Sequence, residues 1–212
     1  MYRTNTIKRI IKPEDILVPS GYRVEVFAES LTTPINLTFT DQWEILIADA
    51  GIASGNGKVL MLTPTGTKVI AEGFKPSLTG ITFYKDNIYV AHRGFITIVK
   101  PDGSKKDIIL GLPSFGDHHN NRVIFGPDGK MYFGQGTATN SGVVGEDNSR
   151  WVKQYPFFHD HPGSSIPLVG QTFRTKNYLS DVSSEQVWTG AFSPFGVLPY
   201  KGEYIKGIIK AS

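Results

Sequence analysis

Three segments of this chain follow one plan. FTDQWEILIADA begins at Phe39, FYKDNIYVAHRG at Phe83 and FGPDGKMYFGQG at Phe125, so the phenylalanines stand 44 and 42 residues apart. Each segment reads as the end of an inner strand, a turn rich in Asp, Asn or Gly, and an outer strand with period-2 alternation. The stretches that follow repeat too. GKVLMLTPTGTKVIAEG (57–73) and GFITIVKPDGSKKDIILG (94–111) each give a strand, a Pro-x-Gly turn and a return strand. A unit of this length holding four short strands has the period of a β-propeller blade. The expected fold is therefore all-β, a propeller of four-stranded blades in one domain over 1–212. Blade 1 is expected over 17–73 and blade 2 over 74–112. An incomplete blade 3 follows over 113–212, with a Gly, Pro, Ser and Asn-rich insert from about 136 to 206 and a new strand at 207–212.

Propellers close with roughly four to eight blades, because radial closure is what protects strand edges. Two and a half blades cannot close. The expectation is a truncated form, or a homodimer in which a second copy completes the ring.

Composition excludes several classes of function. With 40% hydrophobic and 19% charged residues, the chain can bury a core. There is no cysteine, hence no disulfide, thiolate metal site or cysteine nucleophile. The net charge of +3 is scattered without a basic stripe, so nucleic acid is not an expected partner. No apolar run approaches the roughly 18 residues of a membrane span. Residues 1–12 carry basic side chains but no apolar core of a leader, so no signal peptide is expected in the chain as written; either the protein stays inside the cell or a leader stands outside this sequence, and the compartment is left open.

The chemistry concentrates in residues 116–145. His118 and His119 stand between Asp117 and the pair Asn120-Asn121, followed by Arg122. Gly126-Pro127-Asp128-Gly129 then turns one strand into the next, since Pro presets φ, Asp caps the turn and Gly accepts the left-handed position. Titratable imidazoles at the mouth of a rigid hairpin are placed for catalysis. In an extended segment His118 and His119 point opposite ways, so one of them faces the channel. His159-Asp160-His161 has two imidazoles on one side of the backbone, but a third metal ligand is not evident. His92 ends an outer strand, where a channel-lining and a surface role are equally open. Trp151 and Trp188 are expected to pin the insert.

Three blocks of the chain resemble the glucose/sorbosone dehydrogenase family: LVPSGYRVEVFAESLTTP (17–34), LPSFGDHHNNRVIFGPDGKMYFGQG (112–136) and TATNSGVVGEDN (137–148). The resemblance covers the amino-terminal half of a family member. It implies a six-bladed soluble propeller that oxidises an aldose or related polyol with pyrroloquinoline quinone and Ca²⁺. It places His118 on the general base, with Asp117, His119, Asn120, Asn121, Arg122 and Asn140 as substrate contacts. Two departures stand out. Where the family has a Gly-Asp-Gln-Gly-Arg-Asn segment, this chain has Gly136-Thr137-Ala138-Thr139-Asn140, without the carboxylate that partners the base. The family's main quinone and calcium ligands lie in later blades. A calcium-dependent lactonase-like propeller hydrolase, with Asp49 and Asn140 as channel ligands, is the first alternative. A non-catalytic carbohydrate- or protein-binding propeller is the second.

Overall fold

The structure, a computed structural model, describes residues 10–114, 119–137, 139, 141, 143–155, 160, 164–168, 173–192 and 203–205. The chain divides into two compact units, Met1–Thr32 and Thr33–Ser212. In the first, a 3₁₀ turn over Pro13–Asp15 precedes an extended run in which Arg23 pairs with Glu25 at 3.0 Å. Residues 17–32, read from sequence as the opening of blade 1, belong to this unit.

The second unit is built from tandem antiparallel meanders. Strands β1 (Pro34–Phe39), β2 (Ile45–Asp49), β3 (Gly57–Thr63) and β4 (Gly66–Phe74) form one four-stranded sheet in chain order. Strands β5 (Leu78–Tyr84), β6 (Asn87–His92), β7 (Phe95–Val99) and β8 (Lys105–Leu110) form the next. Strands β9 (Asn120–Phe125) and β10 (Met131–Gln135) start a third. Each sheet packs on its neighbour through its first strand: β5 lies against β1 and β2, and β9 against β5 and β6. Four-stranded meanders stacked through their innermost strands are the blades of a propeller.

Local sequence explains the repetition. Thr40–Glu44, Lys100–Ser104 and Gly126–Lys130 form the same five-residue loop. In each, the first N–H donates to the fifth carbonyl and the fourth N–H donates to the first carbonyl, at 2.9–3.0 Å. The fourth position has positive φ in all three, filled by Trp43 (64°), Gly103 (82°) and Gly129 (74°). This is the type I turn with a left-handed residue that joins right-twisted strands. Between the first two sheets, Leu46, Ala48, Val59, Ala71 and Phe74 meet Leu78, Ile81, Ile88, Val90 and Val99 in one buried cluster.

The insert is not a plain loop. It contains α1 (Ser149–Gln154), a hairpin of β12 (Phe173–Lys176) with β13 (Gln186–Thr189), and a pair of β11 (Ile166–Leu168) with β14 (Glu203–Ile205). Val144, Trp151 and Val152 pack with Tyr178 and Leu179 into a small core of their own. Trp151, 7% exposed, thus pins the insert as expected. The Phe192 N–H donates to the Ser141 carbonyl, closing the excursion on itself. The strand expected at 207–212 lies outside the described residues.

Candidate functional site

Each inner strand carries a β-bulge near its start, at Pro34/Asn36, Leu78/Gly80 and opposite Gly134 in β9. A bulge sets two residues against one and re-aims their side chains. In the third blade the two are Asn121 and Arg122, both exposed. Arg122 backs onto β5 so closely that a Cβ added to Gly80 would stand 2.3 Å from its own.

Asn120 has a different task from the one expected. It is fully buried. Its Oδ1 accepts from the Gly94 N–H at 3.2 Å, its Nδ2 donates to the Phe95 carbonyl at 2.9 Å, and its carbonyl accepts from Thr79 Oγ1 at 2.5 Å. These bonds staple the third blade to the second, and a side chain so enclosed lines no mouth. His119 is half-buried, with Nδ1 3.2 Å from Ser114 Oγ and its carbonyl accepting from the Gly136 N–H at 3.2 Å. Asp117, His118 and Asn140 lie outside the described residues.

Gln135 stands beside this segment, paired with Asn120 across the hairpin. Its Nε2 donates to the carbonyls of Pro113 (3.0 Å) and Gly136 (2.8 Å), while its Oε1 is buried without a hydrogen-bond partner among the described residues. The sequence reading missed Gln135, yet the repeat contains the signal. Asp49, His92 and Gln135 close the second strand of successive blades, paired with Pro34, Leu78 and Asn120. Asp49 is buried and accepts from the Gly51 N–H at 3.0 Å, which commits one of its oxygens to a turn.

A carboxylate does reach the segment after the hairpin, but from the insert. Asp160 Oδ2 accepts from the Thr139 N–H at 2.6 Å and from Thr139 Oγ1 at 2.5 Å. Its neighbours His159 and His161 lie outside the described residues. Among the described residues no group of three or more His, Asp or Glu is placed to hold a metal ion. A Ca²⁺ ion, which takes six to eight oxygens, would have to draw there on carbonyl and amide oxygens rather than on a carboxylate cluster.

His92 is the centre of a second cluster. Its Nδ1 accepts from the Lys75 N–H at 3.2 Å, which places the ring proton on Nε2, 2.7 Å from Thr97 Oγ1. Thr97 in turn donates to Asp107 Oδ1 at 2.6 Å. The ring stacks on Phe95 with centroids 5.1 Å apart and meets the edge of Phe74 at 5.2 Å. Burial, foremost, lowers its pKa to about 4; Asp107 opposes this, while the ammoniums of Lys75 and Lys105 reinforce it. His92 is thus a neutral, enclosed imidazole, not a channel-lining or surface group.

No protein-family profile matches the chain, and no curated protein does. Among solved structures it is similar to virginiamycin B lyase from Staphylococcus aureus, at 17% identity and a TM-score of 0.37, over 49% of this chain and 35% of that one. It is also similar to a structural-genomics target provisionally described as a gluconolactonase, at 18% identity and a TM-score of 0.37, over 50% of this chain and 37% of that one. The matched region spans little more than a third of either protein. Likeness of this degree carries no argument about chemistry; the blade topology rests on the strand order and packing described above.

Proposed function

We propose that this chain supplies the proton-abstracting part of a propeller dehydrogenase that oxidises an aldose or related polyol, of the quinoprotein type its sequence resembles. The observation that carries the reading is the orphaned Oε1 of Gln135, next in the chain to Gly136, whose N–H donates to the His119 carbonyl. A buried acceptor left without a donor costs about 1–3 kcal/mol, and a hydroxyl-rich ligand supplies the donor. In this reading Gln135 accepts from one substrate hydroxyl, and exposed Asn121 and Arg122 contact others. His118, as a neutral imidazole, takes the proton of the hydroxyl being oxidised. Asp117, His119 and Asn140 complete the substrate contacts. Pyrroloquinoline quinone and Ca²⁺ would draw their ligands from outside the described residues. The proton step uses side chains of this chain alone.

The test is dye reduction with a panel of aldoses and polyols, in the presence of the quinone and Ca²⁺. Sugar-dependent reduction that His118→Ala lowers at least 100-fold is the expected result. Lactone hydrolysis that requires Ca²⁺ and ignores the quinone would overturn the reading in favour of a hydrolase. Saturable sugar binding without turnover in either assay would make the chain a binding module.

A further inference from the structure

Beside the His92 cluster the end of β4 and the outer half of the second blade form an open cleft of about 290 Å³, lined by Phe74, Lys75, His92, Phe95, Lys105 and Asp107 among others. None of residues 119–122 lines it. The charges around it are unbalanced. Lys75 Nζ lies 4.3 Å above the Phe95 ring and Lys105 Nζ 5.3 Å from the centre of Phe74. Lys105 donates one hydrogen to the Glu72 carbonyl at 2.6 Å. The Glu72 carboxylate is turned away, bonded to Asn56 Nδ2 at 3.2 Å and paired with Lys58 at 3.4 Å. Asp107, the single acid in the lining, accepts from Thr97 and makes no ion pair with either lysine. Two ammoniums with unused N–H groups therefore face one shared cleft over aromatic walls, with a neutral imidazole beneath.

We infer that this cleft binds a small oxyanion, a carboxylate or a phosphate, held by Lys75 and Lys105 against the Phe74 and Phe95 rings. Charge-assisted hydrogen bonds from two ammoniums are the strong polar contacts available to such a ligand. Lys106 provides an internal control. It adjoins Lys105 on β8, so its side chain points to the opposite face of the strand and lines no part of the cleft.

The experiment is thermal unfolding of the intact chain, titrated with sodium phosphate and separately with sodium gluconate, against sodium chloride at matched ionic strength. The inference expects a saturable rise in Tm with one of the two oxyanions, which also identifies the ligand class, and no such rise with chloride. The double variant K75Q/K105Q should weaken the apparent affinity about ten-fold or more, each single variant less, and K106Q not at all. Both lysines are solvent-exposed, so the variants keep the fold; their strand signal in circular dichroism confirms it. No saturable rise with either oxyanion would overturn the inference, as would a rise that K75Q/K105Q leaves unchanged. Either result is independent of the dye-reduction assay, because His118 plays no part here.

Discussion

His92 shows how much a single side chain can be asked to do by its surroundings. It is 5% exposed, it fixes the Lys75 backbone through Nδ1, and its Nε2 donates to Thr97 Oγ1, which donates in turn to Asp107. Its pKa falls from 6.5 to about 4 on folding. The unfolded chain therefore binds more protons between these values. The stabilising contribution is complete above pH 6.5 and is lost as pH falls toward 4, on the order of 3 kcal/mol over the window. Urea unfolding at pH 7 and pH 4.5 should show this loss in the native sequence and a much shallower one in His92→Gln. Equal slopes would mean that His92 is not the group that titrates. Nothing in the sequence marked this cluster, because its members come from five separate places: the end of β4, the β4–β5 link, β6, β7 and β8. Asn120 is the opposite case. Its position in the His-rich block was conspicuous, but its burial follows from a bulge and a staple to Gly94 and Phe95 that only the pairing register reveals.

Among the elements, the inner strands set the spacing of the blades. β5 and β9 approach so closely at Gly80 that an added Cβ would stand 2.3 Å from Arg122 Cβ and 2.9 Å from its Cα. Gly80→Ala should therefore cost at least about 2 kcal/mol by urea denaturation, since backbone and not a flexible tip must move. A cost below 0.5 kcal/mol would mean that the blades are free to part there. The strand pattern was legible because Pro-Asp-Gly announces the same five-residue loop twice, between β7 and β8 and between β9 and β10, whereas the β5–β6 hairpin turns through Lys85 and Asp86 alone. In the first unit Trp43 occupies the glycine's position, yet Thr40 and Glu44 close the same hydrogen bonds. The insert was illegible for a physical reason. Its core joins Val144, Trp151 and Val152 to Tyr178 and Leu179, residues too far apart and too few to impose a period on the sequence.

At the scale of the molecule, the described blades leave apolar side chains uncovered at both limits of the stack. On β1, Ile35, Leu37 and Phe39 are 47–54% exposed; on β9 and β10, Ile124 and Tyr132 are 54% and 48% exposed. Burial of such a row returns roughly 25 cal/mol per Å². Light scattering should accordingly find a concentration-dependent dimer, which Leu37→Glu disperses; a clean monomer with native strand content would remove ring completion by a second copy. The described residues contain no helix long and apolar enough to cross a membrane.

The bond from Phe192 to the Ser141 carbonyl has a consequence for how such a chain can change over time. A detour whose two ends touch adds little length to the path between the residues that flank it. One strand inside it, β11, is also paired with β14 beyond the seam. A gene encoding it can lengthen, shorten or exchange the rest of that cassette, and the hairpin before it keeps its place.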